Sequence, residues 1–303
     1  TVSSKVVPPR PPVTPSPCRQ MVVNDHLGSH VSIAGGVVAA FGRAIAVGCG
    51  AFQIFTKNNF RWSGKPLGRE EAAKFRSLLA ERKMPIGSHS GYLINLGAAS
   101  GPNVEKSIAS TIEELSRAEE LGIPFVVFHP GSHLGAGEKA GLRTIAARFK
   151  KILQASKKSP VRIALETTAG QGSCLGGRFE HLAELYDRVG SAERLAVCFD
   201  TCHVFAAGYD LRSRPEKVLK EFDRVVGLKR IVIFHFNDSK GELGSRLDRH
   251  EHIGKGRIGL EAFRVILNER LFREVPKILE TPKDDAGKFD RMNLKLLRSL
   301  VRN

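Results

Sequence analysis

The sequence predicts an α/β fold consisting of a single (β/α)8 TIM barrel. Short apolar segments alternate with longer amphipathic segments, eight of each in about 280 residues, and this alternation is typical of parallel strands joined by right-handed helical crossovers. In addition, histidines and acidic residues follow the apolar segments repeatedly, at the end where each predicted strand stops. A doubly wound open sheet is the alternative architecture.

The predicted strands are apolar stretches bounded by turn or polar residues. In chain order they are Leu27–Ile33, Ala51–Phe55, Pro85–Ser88, Phe125–Phe128, Val161–Leu165, Leu195–Phe199, Ile231–Phe236 and Lys277–Leu279. The predicted helices lie between them and repeat apolar residues at helical spacing. They are Val37–Val47, Arg69–Lys83, Val104–Leu121, Leu142–Lys157, Arg178–Val189, Pro215–Val226, Leu260–Glu269 and Lys288–Arg302.

Residues 1–20 differ in composition from the rest of the chain. Six prolines fall between Pro8 and Pro17, and the segment contains no acidic residue and no apolar core of a secretory signal. We therefore expect a disordered, proline-rich, basic N-terminal extension, followed by one barrel domain over residues 21–303. A transit peptide and a second DNA contact are alternatives for the extension.

The composition limits the possible partners and compartments. With 42% hydrophobic residues the chain can bury a sizeable core, and no apolar run approaches the roughly 18 residues that cross a bilayer, so we expect no membrane span. The five cysteines show no disulfide framework, which favours a reducing, cytoplasmic location, with an organelle or nucleus open for a eukaryotic source. The net charge of +16 suggests nucleic acid as partner, although a merely basic surface is the alternative.

Polar residues at the strand ends are the main functional signal. In the stretch Leu195–His203 an apolar run ends in Asp200, and His203 follows shortly after. A buried carboxylate or imidazole is unfavourable unless something binds it. The same pattern recurs at five other strand ends or in the loop that follows one. The nine residues concerned are His89, His129, Glu166, Asp200, His203, His235, Asp248, His250 and Glu280.

Each of these residues has an ordinary explanation when it is considered alone. A histidine after a strand is often a satisfied core residue, an aspartate there is often a helix N-cap, and Asp248–His250 could form a solvated loop. Nine such residues at the same end of a barrel instead predict a site at the C-terminal rim. Imidazoles and carboxylates without thiolates suit zinc or manganese, so we predict a metal site there.

Long stretches of the chain resemble the endonuclease IV family of apurinic/apyrimidinic (AP) endonucleases, across residues 27–281. The matching stretches are SHVSIAGG (29–36), IFTKN (54–58), SHSGYLINLG (88–97), FHPGSH (128–133), LETTAGQG (165–172), CFDTCHVFAAGYD (198–210), HFNDSK (235–240), GSRLDRHEHIGKGRIG (244–259) and ILETP (278–282).

The resemblance implies a (β/α)8 barrel with three metal ions, usually zinc, with Mn²⁺ possible at one site. It also implies that Glu166 bridges two of the ions and orients a metal-bridging hydroxide as the catalytic carboxylate. The implied ligand sets are His89, His129 and Glu166 for one ion, Glu166, Asp200, His235 and Glu280 for a second, and His203, Asp248 and His250 for a third.

The implied reaction is hydrolysis of the phosphodiester 5′ to an abasic site, which leaves a 3′-hydroxyl and a 5′-deoxyribose phosphate, with trimming of blocked 3′ ends. Two metals about 3.5–4 Å apart suit this chemistry because they activate water and neutralise phosphoryl charge. The implied partner is double-stranded DNA that contains abasic sites or blocked 3′ ends, and we expect a monomer.

Two predicted rim loops carry candidates for DNA contact. Phe60 and Arg61 follow the second strand, and Tyr92 and Leu93 follow the third. Such side chains can wedge into a base stack, and an abasic sugar is easily extruded, although plain loop packing is the alternative. Which of Phe60, Arg61 and Tyr92 inserts stays open, because relatives often carry arginine where this chain has Phe60.

Competing functions are a metal-dependent sugar isomerase or epimerase and a non-catalytic lesion-binding protein. The isomerase alternative gives no reason for Asp248, His250 or the charge of +16. The G-x-G-x-x-G sequence at residues 254–259 follows a polar loop instead of a strand, so we do not expect dinucleotide binding. His30 is expected to support the site without being a ligand.

Overall fold

Eight parallel strands, β1–β8, form a closed barrel in residues 25–302, the part of the chain described by this computed structural model. They are β1 Leu27–His30, β2 Ala51–Phe55, β3 Ile86–His89, β4 Phe125–Phe128, β5 Arg162–Glu166, β6 Leu195–Asp200, β7 Ile231–His235 and β8 Lys277–Leu279. The closed order follows the chain from β1 to β8, which confirms the predicted (β/α)8 fold. The alternative open sheet is wrong.

The helices of the described residues surround this barrel. They are α1 Ala39–Ala46, α2 Arg69–Arg82, α3 Val104–Leu121, α4 Glu138–Ala155, α5 Phe179–Val189, α6 Thr201–Ala206, α7 Pro215–Val225, α8 Glu261–Asn268 and α9 Lys288–Ser299. Three short 3-10 turns, Ala192–Arg194, Leu228–Arg230 and Arg270–Phe272, precede β6, β7 and β8. No helix within residues 25–302 combines the length and apolarity that a membrane span needs.

Closure brings β1 against both β2 and β8. Leu27 pairs with Lys277 on one side, and Gly28 pairs with Ala51 on the other. A Cβ atom at Gly28 would lie only 1.6 Å from the carbonyl oxygen of Ala51, so this position requires glycine. The first and second strands therefore meet at Gly28 without a side chain between them.

Two apolar layers hold the fold together. Aromatic rings such as Phe199, Phe222 and Phe234 pack in the layer between strands and helices, with centroids 5.3 and 5.7 Å from that of Phe199. Residues on the opposite strand face fill the barrel interior, because side chains alternate along a strand. This interior layer consists of Ala51, Phe125, Val127, Ala164, Ala196, Cys198, Ile233 and Ile278.

The structure departs from the predicted element pattern in several places. Strand β1 ends at His30 instead of Ile33. Helix α6 interrupts the strict strand–helix alternation, because the Asp200 side chain caps a helical turn directly after β6. Helix α4 begins at Glu138 instead of Leu142. Two short antiparallel ribbons also lie at the rim, Gly131–Ser132 with Cys174–Leu175 and Asp238–Ser239 with His250–Glu251. The predicted N-terminal extension, residues 1–20, lies outside the described residues.

Candidate metal centre

Strand alternation places most of the candidate ligands on the inner face of the barrel. In β5, β6 and β7 the interior residues Ala164, Cys198 and Ile233 are each followed two positions later by a polar residue. Side chains two residues apart share a face, so the polar residues form the next layer toward the C-terminal rim. The residues that extend the apolar layer in this way are His129, Glu166, Asp200, His235 and Glu280.

The first predicted ligand set converges on one oxygen of Glu166. The Nε2 atoms of His89 and His129 lie 3.1 and 3.0 Å from Oε2 of Glu166. Glu166 is fully buried, whereas the His129 side chain is 40% exposed and opens this group toward solvent. These three residues could hold one cation, since ligand atoms from each lie within 4.8 Å of one another.

The second predicted set uses the other oxygen of Glu166. Nδ1 of His235 lies 2.8 Å from Oε1 of Glu166, 3.2 Å from Oε2 of Glu280 and 3.8 Å from Oδ2 of Asp200. These four residues again place ligand atoms within 4.8 Å of one another. Glu166 therefore faces two groups at once, one with each carboxylate oxygen.

The third predicted set lies closer to solvent. Oδ1 of Asp248 lies 3.1 Å from Nε2 of His203 and 3.4 Å from Nε2 of His250. The Asp248 side chain is 41% exposed, whereas His203 is buried. All nine predicted metal ligands thus lie in three adjoining groups. The residue pattern alone predicted a shared rim, and the family resemblance implied this grouping.

Asp200 joins two roles that the sequence presented as alternatives. Its Oδ1 accepts a hydrogen bond from the backbone N–H of His203 at 2.7 Å and caps helix α6. Its Oδ2 accepts from Nδ2 of Asn237 at 2.7 Å and faces His235. Oδ1 of Asn237 in turn accepts from the backbone N–H of Glu280 at 2.8 Å. One turn therefore connects the second and third groups.

Backbone carbonyls set the orientation of three of the predicted ligand histidines. In each, Nδ1 lies within hydrogen-bond distance of a carbonyl oxygen, which requires Nδ1 to carry the proton. The Nε2 lone pair then faces the cluster, and this is how histidine ligands are commonly oriented. The pairs are His89 with the oxygen of Ser90 at 2.8 Å, His203 with that of Thr167 at 2.8 Å and His250 with that of Glu280 at 3.2 Å.

The electrostatics of the cluster favour bound cations. Burial alone would raise the pKa of Glu166, but His235 and His129 hold it well below its usual range. Burial alone would lower the pKa of His235, but Glu280 and Glu166 raise it to about 9. Among the described residues, the buried Nε2 atoms of His203 and His250 have no hydrogen-bond partner. Positive charge is therefore stabilised here, and the donor set fits divalent metal ions.

Two cysteines lie beside the candidate metal ligands but are not expected to bind a metal ion. Cys198 and Cys202 lie within ligand distance of site residues. Burial and nearby carboxylates raise the pKa of the Cys202 thiol to about 12 and that of Cys198 well above its ordinary value. Neither thiol supplies a thiolate readily, and both pack as small apolar side chains.

Sequence reasoning missed Gln53, a buried residue that supports the second group. Its Oε1 lies 3.0 Å from Nε2 of His235, and its Nε2 donates to Oε1 of Glu280 at 2.8 Å. His30 lies beside it, with Nδ1 3.3 Å from the same Glu280 oxygen. A lone glutamine in the apolar strand AFQIF was the available signal.

Asp238 is a second missed residue, and it explains the glycine-rich segment at 254–259. Its carboxylate accepts hydrogen bonds from the backbone N–H groups of Gly254, Gly256 and Ile258 at 2.9, 3.1 and 2.9 Å. It also accepts from the N–H of Ser239 at 2.8 Å. The G-x-G-x-x-G segment thus surrounds an internal carboxylate, where the fingerprint would place a pyrophosphate.

The predicted DNA-contact residues lie together on the rim beside the cluster. Phe60 and Tyr92 are 67% and 58% exposed, and their ring centroids are 5.5 Å apart. Leu93 is 37% exposed, and Arg61 is also exposed. The backbone N–H of Tyr92 donates to the carbonyl of Asn59 at 3.0 Å. The two loops therefore form one continuous surface.

Fold and site together define the class of protein, a TIM barrel with a polar cluster of potential ligands at its rim. The family model described as "Xylose isomerase-like TIM barrel" matches residues 41–300. A D-tagatose 3-epimerase-like protein covers 90% of this chain and 98% of its own, with a TM-score of 0.66 at 19% identity, and shares the fold alone.

More similar relatives define the particular family. The probable endonuclease 4 of Chloroflexus aurantiacus is 50% identical over 278 residues, covering 90% of this chain and 97% of that protein. The one from Geobacter sulfurreducens is 50% identical over 283 residues, covering 92% and 96%. The crystal structure of endonuclease IV from Thermus thermophilus has a TM-score of 0.81 at 40% identity, covering 90% and 98%. The chain belongs to the endonuclease IV family, as the sequence motifs indicated, and this family implies bound metal ions.

Proposed function

We propose that the chain is a DNA-repair AP endonuclease that hydrolyses the phosphodiester 5′ to an abasic site. The products would be a 3′-hydroxyl and a 5′-deoxyribose phosphate, and the same site would trim blocked 3′ ends. The observation that carries this proposal is the convergence of three ligand groups on one rim, in a chain that belongs to the endonuclease IV family.

We further propose that the three groups hold three zinc ions, with Mn²⁺ possible at one of them. Such ions, when bound, lower the pKa of water toward 7 and neutralise the charge that develops on phosphoryl oxygens. The residues assigned to them are His89, His129 and Glu166, then Glu166, Asp200, His235 and Glu280, and finally His203, Asp248 and His250.

Glu166 has the position that a bridging catalytic carboxylate needs. Its Oε2 faces His89 and His129, and its Oε1 faces His235. The carboxylate can therefore serve two ligand groups and orient a nucleophilic water between them. No side chain of the protein needs to form a covalent bond with the substrate, because water attacks the phosphorus directly.

The proposed substrate is double-stranded DNA, bound by a monomer in the cytoplasm, in association with the nucleoid. The net charge of +16 favours a polyanion, and the exposed Phe60, Tyr92 and Leu93 can insert into a base stack, with Arg61 beside them. An abasic nucleotide has lost its stacking and pairing, so its extrusion toward the site is easy.

A labelled duplex with one abasic analogue tests the proposal. We expect a single nick on the 5′ side under zinc-replete conditions, with a 3′-hydroxyl that a polymerase extends. Chelation should abolish the nick, and zinc should restore it. An intact duplex after incubation with the zinc-loaded protein, together with turnover of a ketose, would support a sugar isomerase or epimerase instead.

A non-catalytic lesion-binding protein is the other alternative. It would bind the abasic duplex without nicking it and would carry close to no zinc after purification. The catalytic proposal expects about three ions per chain, because nine ligand residues lie in three groups.

A further inference from the structure

A buried ionic cluster lies beneath the two rim loops that carry the proposed DNA contacts. The first loop, residues 56–67, follows β2, and the second, residues 90–96, follows β3. The cluster consists of Lys57 in the first loop and of Glu113, Glu114 and Arg117 on α3. The side chains of Lys57 and Glu114 are only 2% and 1% exposed. Two positive charges and two negative charges balance, which makes their burial tolerable.

Lys57, near the start of the first loop, is bonded to a residue later in the same loop. Its Nζ donates to the carbonyl oxygen of Trp62 at 2.9 Å and to Oγ of Ser110 at 3.0 Å. The same atom lies 3.3 Å from the carboxylate of Glu113. The buried ammonium of Lys57 therefore binds both the backbone of the first loop and helix α3.

Glu114 binds both loops with one carboxylate. Its Oε2 accepts from Oγ1 of Thr56 at 2.9 Å, and its Oε1 accepts from the backbone N–H of Gly91 at 3.3 Å. Close to this second bond, the backbone N–H of Tyr92 donates to the carbonyl of Asn59. The two loops are thus joined directly and also through a common partner on α3.

We propose that Glu114 and Lys57 are positioning residues that fix the two loops relative to each other, so that Phe60 and Tyr92 meet duplex DNA as one preformed surface. This inference rests on the proposed function, because it takes the loops to be the DNA-binding surface. Both residues are buried and act on DNA only through the loops. A surface that is already ordered loses less conformational freedom on binding, so the cluster contributes to affinity.

The kinetic test compares Glu114→Gln and Lys57→Met with Glu105→Gln. Glu105 lies in the first turn of the same helix with a side chain that is 79% exposed, so its variant is a matched control. We expect KM for the abasic duplex to rise about tenfold in the first two variants, with kcat within about threefold of wild type. A general structural defect would instead lower kcat and metal content. Lys57→Met removes the pairing from the other side and tests the proposal independently should Glu114→Gln unfold.

Trp62 supplies a readout that does not depend on cleavage. It is the only tryptophan in the chain, and its carbonyl is bound by Lys57. Acrylamide should quench its fluorescence more strongly in Glu114→Gln than in wild type, and Glu105→Gln should match wild type. Unchanged quenching together with unchanged KM in both buried variants would overturn the inference. If the wild-type protein does not nick the duplex, the proposed function fails. The positioning role of Glu114 and Lys57 is then still tested by Trp62 quenching and by the affinity of each variant for the duplex.

Discussion

At the N-terminal end of the barrel, a buried lysine and a half-buried arginine are matched by backbone carbonyls, whereas at the C-terminal end buried charged groups face one another. Lys277, in the first position of β8, donates through Nζ to the carbonyl oxygen of Phe272. Arg194, just before β6, donates to the carbonyl of Val161 at 3.1 and 3.0 Å. At the other end, Glu166 is surrounded by ring nitrogens of His89, His129 and His235.

The charged residues have different roles at the two ends of the barrel. Carbonyl partners satisfy the cations at the N-terminal end, so these residues need no further partner. At the rim, the Nε2 atoms of His203 and His250 have no hydrogen-bond partner within residues 25–302. Ring nitrogens without a hydrogen-bond partner, lying beside buried carboxylates, form a donor set for a cation, which agrees with the location of active sites in TIM barrels. The charged residues at the N-terminal end therefore stabilise the fold, whereas those at the C-terminal rim are arranged to bind a ligand.

Glu166→Gln should give the largest effect on activity. The amide keeps the shape of the carboxylate but loses the charge that faces two ligand groups, so we expect cleavage to fall on the order of 10³-fold or more. Single-turnover nicking of an abasic duplex measures this loss, and circular dichroism checks the fold.

Lys277→Met is the matched control at the opposite end. It also removes a buried charge, yet it lies far from the rim, so nicking should stay within about twofold of wild type. Equal losses of cleavage in the two variants would contradict the functional division between the two ends.

Ionic strength should produce the next largest effect. Binding of the strongly basic chain to DNA releases counterions, so affinity should fall about a hundredfold or more between 50 and 200 mM salt. Fluorescence anisotropy with a labelled duplex measures the slope of log Kd against log salt. A flat response would mean that the net charge of +16 does not act on the substrate.

Asp238→Asn should have a smaller effect that is confined to the third ligand group. The variant weakens the acceptor that orders residues 254–258, and the ribbon from Asp238 pairs Ser239 with the proposed ligand His250. We expect about a tenfold loss of nicking and a lower zinc content. Asp187→Asn, an exposed position on α5, is the control. Full zinc content in Asp238→Asn would separate this loop from metal binding.

The smallest effect concerns stability alone. Burial lowers the pKa of Lys277 to about 8 from its usual 10.5, so unfolding takes up a proton between these two pH values. The free energy of unfolding of wild type, relative to Lys277→Met, should therefore rise by on the order of 1–3 kcal/mol from pH 8 to pH 10.5. Urea unfolding of both proteins across this range measures the difference, and parallel curves would show that the lysine is not desolvated.

The barrel could be predicted from sequence because its signals are local. Alternation of apolar and amphipathic segments specifies strands and helices. Because parallel strands must be joined by right-handed crossovers, few topologies are possible. The family motifs made the same prediction independently. Helix α6 was not predicted because the sequence allowed two interpretations of Asp200, a ligand or a helix N-cap. The structure shows that Oδ1 caps the helix while Oδ2 faces the cluster.

That the nine proposed ligands share one rim was predictable, whereas their supporting contacts were not. Polar residues after apolar strands are visible in the sequence, since the two-residue period puts them on the inner face. Gln53 is different, because its role depends on contacts with His235 and Glu280 that lie more than 180 residues away. The link from Glu114 to both rim loops is likewise long-range and follows no sequence pattern.

The most direct test of the rim as a catalytic metal centre is zinc content measured together with abasic-site nicking in the same samples. Zinc should be removed stepwise by a chelator and then restored. We predict about three zinc ions per chain, loss of nicking as the ions leave, and recovery of both on zinc addition. Nicking that persists at wild-type rate in the metal-free protein, or full zinc content with no nicking, would contradict the account.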